Sequence, residues 1–109
     1  MEAYEEVKIS EIQEAGKKVC VFGRIIDREG TTLIIDDGSG KLQVELDFLR
    51  NPEILKGLKA GEKVRIFGGV TTRGGESIVV ADIIQSAADF EEELWEKIRK
   101  VEAKVRKYV

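Results

Sequence analysis

The sequence predicts a small all-β barrel of five strands, with one short internal helix and a separate amphipathic helix at its C-terminal end. Three observations carry that expectation. An internal repeat reads as two β-hairpins, a third strand with clean two-residue alternation stands between them, and the periodicity turns helical after residue 86. The repeat has an offset of 45 residues and aligns 15–37 with 60–82, where 9 of 23 positions are identical and 6 more are conservative. It includes Ala15-Gly16 against Ala60-Gly61, Phe22-Gly23 against Phe67-Gly68, Arg28 against Arg73, Gly30 against Gly75 and Asp37 against Asp82. Two copies are too few for a solenoid, which needs at least ~3 units to bury a core. Two hairpins, one further strand and a helix suffice for a closed barrel.

Residues 1–14 form an N-terminal extension, polar and extended at its start. Ser10-Glu11-Ile12-Gln13 has the spacing of a capping box, so one helical turn before Gly16 is expected. The first strand is expected over 18–27, with Val19, Val21 and Ile25 alternating and Gly23 in register. A glycine inside a strand marks a bulge or bend, and the same reading applies to Gly68-Gly69. Arg28-Glu29-Gly30 turns the chain into a second strand over 31–36. Asp37-Gly38 then supplies the positive φ of a tight turn. In the third strand Leu42, Val44 and Leu46 point inward, and Lys41, Gln43, Glu45 and Asp47 outward. Asn51-Pro52 opens a short helix, with Asn as cap and Pro at the first position. The fourth and fifth strands are expected over 62–72 and 76–85, joined by Arg73-Gly74-Gly75. The order β-β-β-α-β-β over 15–86 is that of an OB-fold, a partly open Greek-key barrel.

The segment 87–109 differs in kind. Asp89 with Glu92 three residues on resembles a capping pair. Glu91, Glu92 and Glu93 stand at its start and Arg106 and Lys107 at its end, which complements a helix dipole. Leu94, Ile98, Val101, Val105 and Tyr108 are spaced 4, 3, 4, 3, an a/d seam narrower than the stripe of a helix lying on its own core. Such a seam packs on helices of other subunits, or else folds back on its own barrel. Phe90 and Trp95 lie off it and pin the helix base to the barrel or widen a contact between subunits.

Composition sets the outer bounds. Net charge is −3 with 36% charged residues, so any nucleic-acid contact must come from a local patch or from partners. Cys20 is the only cysteine and there is no histidine, which leaves no disulfide framework, no zinc site and no cofactor motif. That usage fits a reducing, intracellular setting, cytoplasmic or nucleoid-associated. No run of ~18 apolar residues is present, so no membrane partner is expected. No nucleophile–base set and no phosphate-cradling glycine motif is present, so the chain is not expected to be an enzyme.

OB-folds bind single strands across the second and third strands, flanked by the loops between strands one and two and between strands four and five. Here the outer face of those strands offers Thr32, Ile34, Lys41, Gln43, Glu45 and Asp47, without an aromatic residue. The candidate contacts are therefore Arg24, the matched tips Arg28 and Arg73, and Lys41 at the edge. Phe22 and Phe67 are also repeat-equivalent; they stack on bases or pack under helices. Asp36 and Asp37 point to opposite sides of a strand, so they read as turn-forming groups rather than a catalytic pair.

Val-Phe-Gly-Arg at 21–24, Asp-Asp-Gly-Ser-Gly at 36–40, Gly-Glu-Lys-Val-Arg-Ile-Phe-Gly at 61–68 and the closing helix resemble the small OB-fold subunits of replication protein A, above all the smallest archaeal-type subunit. The resemblance runs from about Val7 to Tyr108. It implies a heterotrimer held by a bundle of C-terminal helices, acting on single-stranded DNA in replication, repair and recombination. It further implies that Leu94, Ile98, Val101, Val105 and Tyr108 meet the other subunits, and that direct DNA contact is secondary. The alternative reading is an autonomous single-stranded DNA or RNA binder, for example one related to tRNA or translation.

Overall fold

The computed structural model describes residues 3–87 of the chain. The helix expected in 87–109, with its seam Leu94, Ile98, Val101, Val105 and Tyr108, lies outside the described residues past Ala87. The elements are β1 (Glu5–Glu6), a 3-10 turn (Ile9–Glu11), β2 (Lys18–Glu29), β3 (Thr32–Asp36), β4 (Lys41–Glu45), a second 3-10 segment (Pro52–Lys56), β5 (Lys63–Arg73) and β6 (Glu76–Ser86). The sheet order is β1-β2-β3-β4-β6-β5, and β2 also pairs with β5. That last pairing closes the five long strands into a barrel in the order read from the sequence.

The repeat is a pseudo-twofold axis. β2 and β5 pair antiparallel, and Val21 stands opposite Ile66, its own equivalent in the other copy. Around that pair the backbone bonds are reciprocal. The Gly16 N–H donates to the Val70 carbonyl at 2.8 Å, and the equivalent Gly61 N–H donates to the equivalent Ile25 carbonyl at 2.7 Å. The Val70 and Ile25 N–H groups return bonds to Lys17 and Glu62, both at 2.8 Å. Gly16 and Gly61 turn with φ of +92° and +94°, a left-handed conformation that glycine adopts without steric cost.

Alternation along these strands fills the core. Val19, Val21, Ile25, Leu33, Ile35, Leu42, Val44, Val64, Ile66, Val79 and Ile84 point inward and are buried, with Leu46, Leu49 and Leu58 packed on them. Each such side chain contributes about 1.5–3 kcal/mol through removal from water.

Two expected helices take a tighter form. The segment after Asn51 is a five-residue 3-10 helix, and there is no α-helix among the described residues. Asn51 does not cap it. Its side-chain Nδ2 donates to the Ile84 carbonyl at 2.7 Å, and the Ile84 N–H donates to its Oδ1 at 3.3 Å. The side-chain amide thus acts as a strand partner on the free edge of β6, and the Arg50 N–H continues the pairing to the Asp82 carbonyl at 2.8 Å. The N-terminal turn covers Ile9–Glu11, closed by the Lys8 N–H on Glu11 Oε1 at 2.8 Å, two residues earlier than the capping spacing implied. Residues 5–6, expected to be loose or extended, add β1 in parallel to Val19–Cys20.

The bulges differ between the copies. In the second, Phe67 faces Ile83 and Gly68 faces Ala81, so Asp82 is the extra residue. A Cβ on Gly68 would lie 2.2 Å from the Val80 carbonyl oxygen and 2.8 Å from Val79 Cγ1. In the first copy the extra residue is Ile26, and Gly23 instead gives room to Ile35. Gly68→Ala is expected to cost about 1–3 kcal/mol by forcing backbone apart. Gly69→Ala, whose Cβ meets only the Lys18 side chain at 3.7 Å, should change stability little. Urea unfolding midpoints of the two variants provide the comparison.

Candidate nucleic-acid interface

The outer face of β3–β4 is laid out by its register. Thr32 faces Glu45, Ile34 faces Gln43, and Asp36 faces Lys41. Asp47, expected on this face, lies beyond the end of β4. Glu45 points outward from the barrel yet is only 6% exposed. Its Oε1 accepts from Thr32 Oγ1 at 3.2 Å and Gln43 Nε2 at 2.9 Å, and pairs with Arg73 Nη1 at 3.3 Å. The β5–β6 tip thus lays Arg73 against the groove floor. A carboxylate held there by three donors opposes a phosphate, and the guanidinium nearest to it is already paired. Because the Arg73 side chain is 63% exposed, solvent screening keeps that ion pair weak.

The β2–β3 tip places Arg28 elsewhere. Its guanidinium donates to the carbonyl of Leu55 and, at 3.3 Å, to that of Leu58. Leu55 lies in the last turn of the 3-10 segment and Leu58 two residues past it, so Arg28 fastens the end of that segment to the hairpin. Arg24 is exposed and donates to the Gly61 carbonyl at 3.4 Å. It pairs with Asp36 across β2–β3, and Asp36 pairs with Lys41 across β3–β4. Arg24, Asp36 and Lys41 therefore form one lateral row with a carboxylate in the middle. The Thr32–Glu45 row lies four residues along, roughly 13 Å away at ~3.3 Å per residue. The four candidate cations thus do not line one track. Arg24 and Lys41 share a row, Arg73 joins the opposite end, and Arg28 leaves the face.

Asp36 and Asp37 form the turn, as the sequence implied. Asp36 Oδ1 accepts from the Gly38 N–H at 2.7 Å. Asp37 Oδ1 accepts from the Ser39 N–H at 2.8 Å, Ser39 Oγ at 2.6 Å and the Gly40 N–H at 3.2 Å, and its Oδ2 takes the Ile9 N–H at 2.8 Å. Asp82, its repeat equivalent, also holds the N-terminal extension. Its Oδ2 accepts from Tyr4 Oη at 2.9 Å and Lys18 Nζ at 2.8 Å. Burial raises both carboxyls, and the donors aimed at them outweigh it, so each ionises below its ordinary value.

Phe22 and Phe67 lie away from the β3–β4 face. They are half-buried on the outer surface of β2–β5, where Phe22 faces Arg65 and Phe67 faces Cys20. The Arg65 guanidinium carbon is 4.8 Å from the Phe22 ring centre and 5.9 Å from that of Phe67. Tyr4 meets Phe67 edge-on at 5.3 Å. Sequence reasoning located the two phenylalanines but not this cluster. The alternation of 18–24 and 63–69, laid antiparallel, was the signal that could have found it. Tyr4 left no such signal.

No protein-family model matches the chain, and no curated protein matches it. Solved structures do. The telomere capping protein Ten1 from Saccharomyces pombe superposes with a TM-score of 0.71 at 19% identity, covering 94% of this chain and 99% of that one. A chain of the S. pombe Stn1–Ten1 complex gives a TM-score of 0.68 at 19% identity, over 94% of each chain. A subunit in a replication protein A heterotrimer bound to single-stranded DNA gives 0.55 at 15% identity, over 90% of this chain and 78% of that one. The OB domain of MM0293 from Methanosarcina mazei gives 0.60 at 16% identity, over 77% of this chain and 84% of that one. These likenesses establish the OB-fold.

The lowered carboxyls set a pH dependence. A group whose folded pKa is depressed stabilises fully above its unfolded value, here the ordinary 3.8, and loses that contribution as pH falls through the folded value. Melting temperature should therefore fall as pH drops below about 4. Asp37→Asn should melt lower than the parent at pH about 6, and the gap should narrow as pH falls through the depressed folded value of Asp37.

Proposed function

We propose that this chain is a structural OB-fold subunit of a single-stranded DNA-binding assembly of the replication protein A type, with at most weak DNA contact of its own. The observation that carries this reading is the electrostatics of the β3–β4 face. Arg24, Arg28 and Arg73 all bond within the fold, Glu45 occupies the floor, and no aromatic platform is present. Tight binding of single strands draws on stacking at ~1–3 kcal/mol per base and on a cationic track. This face supplies neither. The fold likeness to Ten1, which also occurs in a complex with Stn1, and to a heterotrimer bound to single-stranded DNA supports a subunit role. In this reading Leu94, Ile98, Val101, Val105 and Tyr108 form the contact with the other subunits. The setting is intracellular DNA replication, repair and recombination, and the chain carries out no catalysis. The exposed pair Arg24 and Lys41 favours a second reading, an autonomous single-strand binder.

Fluorescence anisotropy with labelled oligonucleotides separates the two. The isolated chain should bind no tighter than about 10⁻⁴–10⁻⁶ M at about 150 mM salt and weaken further as salt rises. Light scattering with OB-fold subunits from the same genome should show a defined complex that Leu94→Glu with Val101→Glu abolishes. Nanomolar binding by a strict monomer that ignores those subunits would overturn the subunit reading.

A further inference from the structure

The first half of β2 has two sides. Lys18 to Arg24 pair with β5 on one side, while β3 takes the other side only from Arg24 onward. The edge left beside Val19 and Cys20 is filled by β1, which lies parallel to it, with the Val7 N–H donating to the Cys20 carbonyl at 3.1 Å. A strand edge with unpaired backbone groups is a template for an added strand. Here the chain supplies that strand itself.

The segment that fills the edge is held lightly. From Tyr4 to Ile12, Ile9 alone is buried, while Val7 and Ile12 are half-buried. A pocket of about 160 Å³ lies under the segment, lined by its own Val7 and Ile12 and by Val19 and Val70 of the barrel. Interiors packed to native density leave few such spaces, so this contact forgoes part of the dispersion that a core gains. The attachment is concentrated at two carboxylates. Asp82 accepts from Tyr4 Oη at 2.9 Å, beside the edge-on contact of Tyr4 with Phe67. Asp37 accepts from the Ile9 N–H at 2.8 Å, next to Ser39 Oγ, which accepts from the Ser10 N–H at 3.1 Å. A segment with one buried side chain and few hydrogen bonds lies at the low end of local opening free energies.

Under it sits a buried thiol that stands outside the core cluster. Cys20 points outward from the barrel, yet it is 7% exposed. Its register neighbours are Glu6 on β1 and Phe67 on β5. Lifting β1 removes one of its two flanking strands.

We propose that residues 4–12 form a strap that opens as a unit while the barrel stays folded, and that the strap is the resident occupant of a strand-addition site on β2. The partner that fits the bared edge is an extended protein segment with the pattern of the strap. It carries an aromatic hydroxyl for Asp82, an apolar residue three positions on in the place of Val7, and another five positions on in the place of Ile9. The strap is a property of the isolated chain, so it stands or falls apart from the assembly reading above.

Cys20 is the only cysteine, and its reaction with an aromatic disulfide reagent reports the opening. In the full chain the reaction should be slower than in the urea-unfolded chain. Its rate should change little with urea until the barrel melts, because strap opening exposes little surface. Tyr4→Ala should speed it about five-fold or more, the equivalent of at least one lost hydrogen bond, with the barrel midpoint by circular dichroism near the parent's. Tyr4→Phe, which keeps the ring, should give a smaller rise. In the full chain carrying Tyr4→Ala with Ile9→Ala, a peptide of residues 3–12 at about millimolar concentration, comparable to a short tether, should slow the reaction again. The same peptide with both replacements should not. A rate that follows urea with the full dependence of barrel unfolding would overturn the strap. So would a native rate equal to the unfolded one, or a barrel midpoint that falls in step with the faster labelling of Tyr4→Ala. Labelling left unslowed by the native peptide would overturn the strand-addition site.

Discussion

Strand β2 runs for twelve residues and pairs with β5 along its first half and with β3 along its second. The barrel depends on that double pairing. The reciprocal bonds of Gly16, Ile25, Gly61 and Val70 fix the two hairpins about the Val21–Ile66 pair, and Arg24 stands at the hand-over, opposite Lys63 on one side and Asp36 on the other, with the bulge at Ile26 just past it. Closure on this side leaves β4 and β6 joined at only two register positions, Val44–Val79 and Glu45–Val80. The remaining edge of β6 would expose unpaired backbone groups to a buried boundary, which is costly. The chain from Leu46 to Leu58 fills it. Asn51 and Arg50 pair with β6, Leu49 and Leu58 enter the core, and Arg28 holds the far end of the segment. Arg28 therefore acts as a brace as a consequence of how the barrel closes.

The two copies of the hairpin have diverged at their ends while keeping their centres. Arg28 and Arg73 remain matched tips, but one grips carbonyls of the 3-10 segment and the other covers Glu45. Asp37 and Asp82 remain matched carboxylates, one organising a turn and the other standing at a bulge, and both hold the N-terminal extension. The effect on the β3–β4 face is consistent. Thr32, Gln43, Glu45 and Arg73 are engaged with one another, which leaves Lys41 as the exposed cation of that face. The richest cation–aromatic chemistry lies on the β2–β5 surface, beside the point where the described chain ends.

Most of the barrel was legible because it rests on local patterns. Alternation named Val19, Val21, Leu42, Val44 and Leu46 as inward, and Asp37-Gly38 and the glycine tips located the turns. The OB order followed from counting strands. What sequence could not show depends on three-dimensional juxtaposition. Asn51 looks like a cap, and becomes a strand partner only because β6 offers a free edge. Glu45 reads as an outward acid, and is buried only because the β5–β6 tip folds over it. Arg28 reads as a free loop cation until the 3-10 segment is placed beside it. Bulge position was legible at Gly68, where a Cβ cannot fit, and not at Ile26, where nothing in the residue marks it.

Arg28, a hairpin-tip arginine that looks like a phosphate ligand, is a structural brace. Paired measurements on Arg28→Ala and Lys41→Ala test it directly: urea unfolding for stability, and anisotropy for oligonucleotide affinity. Arg28→Ala should lose about 1 kcal/mol of stability, a value discounted for exposure, with affinity unchanged. Lys41→Ala should leave stability intact. An Arg28→Ala protein that is as stable as the parent but binds oligonucleotide several-fold more weakly would make Arg28 a ligand contact and not a brace.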